Sequence, residues 1–179
     1  MTEAHALTIE PLGRRHDRAA FSCGLPELDR HLARQASQDI RRRIARVFVC
    51  TADGDTVLGF YTLSALSVDL ASLPEEVSRK LPRHPVPCAL IGRLAVDRSA
   101  HGRGLGRMLL ADAVNRVAAA GETVAMHALV VDAANADAKR FYERFGFAPL
   151  ADGPMRLFLP LARISHQGHG LRGAVGPAG

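Results

Sequence analysis

The stretch Ala89-Leu90-Ile91-Gly92-Arg93-Leu94-Ala95-Val96-Asp97-Arg98-Ser99-Ala100-His101-Gly102-Arg103-Gly104-Leu105-Gly106-Arg107 decides the fold. Up to Val96 it is mostly apolar and partly β-branched, which reads as a strand. Glycines at 102, 104 and 106 come next, and Leu105, Leu109, Ala113 and Val117 then recur every fourth position, predicting a helix from about Gly104 to Ala120.

The next apolar run, Val124 to Val131, is predicted as a strand. A helix joins it to the strand at 89 to 96, so the two are most simply parallel neighbours, because parallel pairs need a crossover connection. A helix over Ala136 to Phe145 and a strand over Met155 to Leu161 complete the order. Upstream, a strand is expected at Leu7 to Pro11 and a helix from Pro26 to about Arg43. Strands at Val47 to Thr51 and Val57 to Leu66 are joined into an antiparallel hairpin by the turn Ala52-Asp53-Gly54-Asp55. Val68 to Pro87 is a proline-punctuated insertion with one short helix around Glu75 to Lys80. The expected fold is therefore α/β (α+β), a mixed sheet with helices on its faces.

At 179 residues, 47% hydrophobic and 23% charged, the chain can bury one core, so residues 1–164 are expected to form a single domain. The glycine-rich end, Ser165 to Gly179, carries too little apolar surface to offset its ordering and is expected to be a disordered tail. No apolar run approaches the ~20 residues of a membrane span, and the N-terminus lacks an export signal, so the expected location is cytoplasmic with no membrane partner. Cys23, Cys50 and Cys88 fit neither a disulfide framework nor a metal spacing, and no metal is expected. The net charge of +5 favours an anionic ligand or a polyanion.

Glycines let a backbone approach a ligand closely, and a helix start adds unpaired N–H groups and the positive end of a dipole. With Arg98, Arg103 and Arg107 nearby, the loop is suited to a pyrophosphate. A P-loop is excluded, because no Lys-Ser or Lys-Thr occurs. A dinucleotide fold places its glycines at the strand end, whereas Gly102 lies past an intervening loop. A glycine-rich connection without a ligand is a further alternative.

The loop resembles the coenzyme A loop of GNAT N-acetyltransferases, Q/R-x-x-G-x-G/A, with His101 at the Gln/Arg position and Gly104 and Gly106 on the glycines. Asn135 and Tyr142, seven residues apart, and Gly146-Phe147 match the family's next motif, and the resemblance spans nearly all of Leu7 to Ile164. It implies a mostly antiparallel central sheet with splayed parallel strands. It also implies acetyl-CoA as cosubstrate, held by the backbone of Leu94, Ala95 and Val96, by His101, Gly102, Arg103, Gly104, Leu105, Gly106 and Arg107, and by Asn135 on the pantetheine arm. Tyr142 is then the acid facing the sulfur. A phenol near pKa 10 gives its proton to a thiolate near 8.5 only uphill, by about 2 kcal/mol, so hydrogen bonding in the transition state is its main expected contribution. A core aromatic whose hydroxyl reaches solvent is the other reading of Tyr142.

Phe21-Ser22-Cys23-Gly24 with Leu28-Asp29 and Leu32, Gly59-Phe60-Tyr61-Thr62-Leu63, Leu81-Pro82-Arg83-His84-Pro85-Val86-Pro87 and Gly92-Arg93-Leu94-Ala95-Val96-Asp97 resemble one branch, the GNAT toxins of bacterial toxin–antitoxin pairs. That resemblance implies acetylation of the α-amine of aminoacyl-tRNA, a small DNA-binding antitoxin as partner, and a homodimer. An α-amine near pKa 8 is already partly neutral at pH 7 and needs no strong base. His127 and Asp132, on or at the end of the strand from 124, are candidates to relay its proton and line the amine, or are hydrogen-bonded polar residues at a strand end; the branch often has Arg and His there. On a helical wheel, Leu28, Leu32, Ala36 and Ile40 span about 120°, while Arg30, Arg34 and Arg41 gather at about 200 to 240°. Arg42, Arg43 and Arg46 extend that charge, and Arg79, Lys80, Arg83 and His84 form a second cluster. Both are expected to contact tRNA, or to be solvated faces. An acetyltransferase for protein N-termini or a small amine, and a non-catalytic module binding an antitoxin or nucleic acid, stay open as alternatives.

Overall fold

Strand β1 (Thr8–Pro11) is followed by α1 (Pro26–Arg30), a π-helical turn at His31–Gln35 and α2 (Ala36–Arg41), then β2 (Arg46–Thr51) and β3 (Gly59–Val68). A 3-10 turn at Leu70–Ser72 and α3 (Glu75–Ser78) lead to β4 (Val86–Val96), a 3-10 turn at Arg98–Ala100 and α4 (Leu105–Ala120). Then come β5 (Ala128–Asp132), α5 (Ala136–Arg144), β6 (Ala148–Leu150), β7 (Gly153–Pro160) and α6 (Leu161–Gln167). The computed structural model describes residues 6–81, 85–151 and 153–167. Its sheet has the order β1-β2-β3-β4-β5-β7-β6 and is mostly antiparallel with one parallel pair. β4 and β5 are neighbours in it, linked through α4 as the crossover expectation requires.

The chain divides into two compact units. The first runs to Ser64 and resumes over Ile91–Ala113; the second comprises Ala65–Leu90 and the chain from Val114 onward. In the first, Phe21, Leu32, Ala36, Val47, Val49, Val57, Phe60 and Ala95 form the core. β2 and β3 form the expected antiparallel hairpin, with Arg46 opposite Leu63 through Cys50 opposite Gly59. Asp53 organises its turn by accepting the N–H groups of Asp55 at 2.9 Å and Thr56 at 2.7 Å. In the second unit, Val68, Leu73, Val86, Cys88, Ala128, Val130, Leu150 and Phe158 form the core.

The π turn changes the wheel. Ala36 N–H bonds to His31 C=O, five residues back, so one extra residue is taken up without a full turn, shifting the phase by about 100°. The four-residue spacing from Leu28 to Ile40 drifts forward on a regular helix; the π turn takes most of that drift back and keeps Leu28, Leu32, Ala36 and Ile40 on one buried line. The same shift rotates Arg41 away from Arg30 and Arg34, so the three arginines, all exposed, do not share one line.

Three boundaries also differ. Val124 is not in a strand: its N–H caps the end of α4 through Ala120 C=O at 2.9 Å, and its side chain is 64% exposed. β6 is a three-residue strand too short to show a period. Ser165, His166 and Gln167, expected in the tail, belong to α6; the tail from 168 lies outside the described residues.

Candidate functional site

In the first unit, β4 ends at Val96 and the chain turns through Asp97. One carboxylate oxygen of Asp97 accepts Ser22 N–H at 2.9 Å; the other accepts Ser99 N–H at 3.0 Å and Ser99 Oγ–H at 2.7 Å. Burial by itself raises this carboxyl's pKa, but those hydrogen bonds and the neighbouring His101 outweigh it and hold the group below its ordinary value. Arg98 N–H donates to Ser22 C=O at 2.8 Å, and the Arg98 guanidinium lies against Gly24 rather than among the glycines beyond it. Asp97 is a site-building residue that the motif reading passed over, although Asp-x-Ser is a turn signal.

Gly102 and Gly104 have φ of +77° and +76°, and a Cβ at either would meet nothing within 4 Å. The glycines are thus needed for backbone conformation, not for room, and the surface they leave is open. α4 starts at Leu105, and Met108 N–H is bonded to Gly104 C=O at 3.1 Å. The turn before that bond, containing Gly106 and Arg107, presents the helix's positive end. Arg103 and Arg107 are exposed beside it. His101 folds back, its Nε2–H donating to Val96 C=O at 2.8 Å, so loop and strand end are tied together. That bond joins the loop of residues 101–107 back to the end of β4 at Val96.

In the second unit, Asn135 N-caps α5, its Oδ1 accepting Ala138 N–H at 2.9 Å. About two helical turns on, Tyr142 is 3% exposed, edge-on to Phe147 at 5.6 Å, and its hydroxyl takes no partner among the described residues. Burial, and secondarily the negative charge of Asp132, push its phenol well above the ordinary tyrosine range. It therefore keeps its proton at neutral pH. Asp132, the last residue of β5, is engaged by Arg156 through Nε–Oδ1 at 2.7 Å and Nη2–Oδ2 at 3.0 Å. Arg156 was not legible as a site residue, because β7 reads as an ordinary strand. His127 stands just before β5 rather than in it. Its N–H donates to Pro87 C=O at 2.8 Å, its C=O accepts Leu161 N–H at 2.9 Å, and its Nε2 is buried without a partner. Arg79 is engaged by Glu75 at 2.6 Å, which offsets one charge of its cluster; Lys80 is exposed, and Arg83 and His84 lie outside the described residues.

Burial disfavours the thiolate form of all three cysteines. Burial pushes Cys23 and Cys50 up to about 11 and raises Cys88 as well. Among the described residues no three His, Cys, Asp or Glu side chains gather as a metal site, and no helix is long and apolar enough to cross a membrane.

Comparison with known proteins agrees with this geometry. The chain is 36% identical over 173 residues to the probable toxin TacT of Sinorhizobium fredii, covering 91% of this chain and 96% of that protein. It is 41% identical over 143 residues to the tRNA-acetylating toxin of Mycobacterium tuberculosis, covering 80% and 85%. Among solved structures, AtaT complexed with acetyl-methionyl-tRNAfMet matches with a TM-score of 0.85 and 34% identity, over 91% of this chain and 99% of that one. AtaTR bound with acetyl-CoA matches at 0.81 and 35%, over 90% and 98%. An AtaT mutant bound to the C-terminus of the antitoxin AtaR matches at 0.77 and 32%, over 89% and 95%. The Acetyltransferase (GNAT) family matches residues 14–147. With three quarters of its length on that family's pattern, the chain belongs to the GNAT acetyltransferases.

Proposed function

We propose that this chain transfers the acetyl group of acetyl-CoA to the α-amino group of an aminoacyl-tRNA, acting in the cytoplasm as a toxin that blocks translation. The observation that carries the reading is the pair of left-handed glycines, Gly102 and Gly104, opening directly onto the first turn of α4. Backbone amides and a helix dipole there fit a diphosphate, and the acetyl-CoA and acetyl-aminoacyl-tRNA held by AtaT support the two substrates.

Acetyl-CoA supplies an activated thioester. Residues 101–107 hold its diphosphate, and Asn135 serves the pantetheine arm. A backbone N–H of Leu94, Ala95 or Val96 stabilises the charge that develops on the carbonyl oxygen as the neutral amine adds. The new C–N bond forms as the C–S bond breaks. The amine's proton leaves to water, with His127 as candidate relay, and Tyr142 donates to the departing sulfur. Arg30, Arg34, Arg41, Lys80, Arg79 and Arg83 contact tRNA phosphates, while Asp132 lies beside Tyr142's charge environment rather than acting as a free base. A small DNA-binding antitoxin and a second copy of the chain are the proposed protein partners.

The test is purified protein with acetyl-CoA and total charged tRNA, followed by mass analysis of the released amino acids. Acetylated amino acids are expected, with turnover falling as salt rises. Acetyl transfer to peptides or small amines but not to charged tRNA would overturn the assignment.

A further inference from the structure

Two contacts from β3 hold the last residues of β4. Arg93 N–H donates to the side chain of Thr62, to Oγ1 at 3.1 Å. A Cβ at the preceding residue, Gly92, would stand 3.3 Å from that same oxygen. Two successive residues of β4, Gly92 and Arg93, thus pack on the one side chain of Thr62. Three residues back along β3, a Cβ at Gly59 would lie 3.0 Å from Ala95 C=O and 2.8 Å from Leu109, so β3 closes tightly on the far end of the same stretch. Thr62 is 3% exposed and makes no contact with solvent that would explain a hydroxyl there. A buried hydroxyl is retained at a cost unless it is bonded, and here the bond is to β4's backbone.

We propose that Thr62 is a positioning residue for acetyl transfer: its Oγ1, by taking Arg93 N–H, fixes the β4 backbone immediately before Leu94–Val96 and so holds their amides toward the thioester carbonyl. The inference rests on the acetyl-transfer reading above and assigns Thr62 no contact with either substrate. An aimed amide counts only when charge develops on the carbonyl oxygen, so its loss lowers kcat and leaves acetyl-CoA binding alone.

The test compares Thr62→Val, which keeps shape and removes the acceptor, with Thr62→Ser, which keeps the acceptor; Thr62→Ala stands in if Thr62→Val does not fold. Rates are expressed per acetyl-CoA-binding equivalent measured by calorimetry, so that partial unfolding cancels. For Thr62→Val we expect kcat down by about tenfold or more with the KM for acetyl-CoA within about twofold, and for Thr62→Ser a kcat within about threefold of the wild type. An unchanged kcat in Thr62→Val, a raised KM in place of a lowered kcat, or a Thr62→Ser as impaired as Thr62→Val overturns the proposal. A wild-type protein that transfers no acetyl overturns the functional reading beneath it; an active wild type matched by Thr62→Val overturns only the role of Thr62.

Discussion

Asp132 and Arg156 stand directly opposite one another on the antiparallel pair β5 and β7 and form a two-pronged ion pair, 2.7 Å and 3.0 Å long, with both side chains 39% exposed. The pairing fixes a negative charge whose field reaches Tyr142. Replacing Asp132 with Asn is expected to lower the pKa of the Tyr142 phenol while costing less than about 1 kcal/mol of stability, because a half-exposed pair is largely screened. The chain has only two tyrosines, so near-ultraviolet titration of tyrosinate in a Tyr61→Phe background reports on Tyr142 alone. An unchanged titration curve would disprove the coupling.

Tyr142→Phe removes the proton offered to the sulfur and leaves the ring packing against Phe147 in place. The fold and acetyl-CoA binding should survive, with turnover reduced about a hundredfold or more. Since the folded phenol is raised above its ordinary value, the wild type should show no loss of kcat from tyrosine ionisation at any pH below about 10. Steady-state rates of both proteins across alkaline pH decide the matter; an early alkaline fall traced to Tyr142, or an active phenylalanine variant, refutes the role.

His101 occupies the position where the family pattern has Gln or Arg, and its Nε2–H is already given to Val96 C=O. In the neutral ring the remaining nitrogen is an acceptor, which offers nothing to a phosphate. His101→Arg is therefore expected to tighten acetyl-CoA about fivefold at low salt, through a charge-assisted donor. Calorimetric Kd values for the two proteins check this, and equal or weaker binding by the arginine variant contradicts it.

α2 and α5 end in the same hydrogen-bond pattern. After α5, Gly146 with φ +90° donates to Glu143 C=O and Phe147 N–H to Tyr142 C=O; after α2, Arg43 with φ +57° donates to Ile40 C=O and Ile44 N–H to Asp39 C=O. The second cap places an arginine where glycine carries no strain. Arg43→Gly should raise stability by about 1 kcal/mol in denaturant titrations while weakening tRNA binding. A variant no more stable than the wild type would rule out backbone strain at this cap.

His31, in the π turn, is 2% exposed, bonded through Nε2 to Asp39 Oδ2 at 3.0 Å and stacked on Phe60, with Nδ1 unpartnered. Burial lowers its pKa, the Asp39 bond opposes that only partly, and the charge of Arg93 adds to the lowering. The unfolded chain therefore takes up this proton first as pH falls below about 6.5, so stability is full above that value and declines toward the lowered folded pKa. Melting temperatures measured from about pH 7 to about pH 5 should fall in the wild type and fall less steeply in His31→Phe. Parallel slopes would remove His31 as the source.

Local chemistry was enough to place the elements that carry the site. Apolar spacing marked α4 and the first helix, the Asp-Gly turn marked the hairpin, and Gly102, Gly104 and Gly106 marked the loop before α4, because each of these depends on residues within a few positions of one another. The order of glycine loop, Asn135 and Tyr142 likewise needed no coordinates. What only the tertiary structure decided depends on partners distant in the chain. The π turn that moves Arg41 off the basic line buries His31 and Leu32, with His31 stacked on Phe60. Val124, β-branched and strand-like by propensity, is spent on capping α4. Arg156 matters because β7 brings it opposite Asp132, and Thr62 because β3 brings its hydroxyl to Arg93, 31 positions away. A sequence states what each residue prefers beside its neighbours; which distant polar groups satisfy one another is settled only when burial forbids water from doing so.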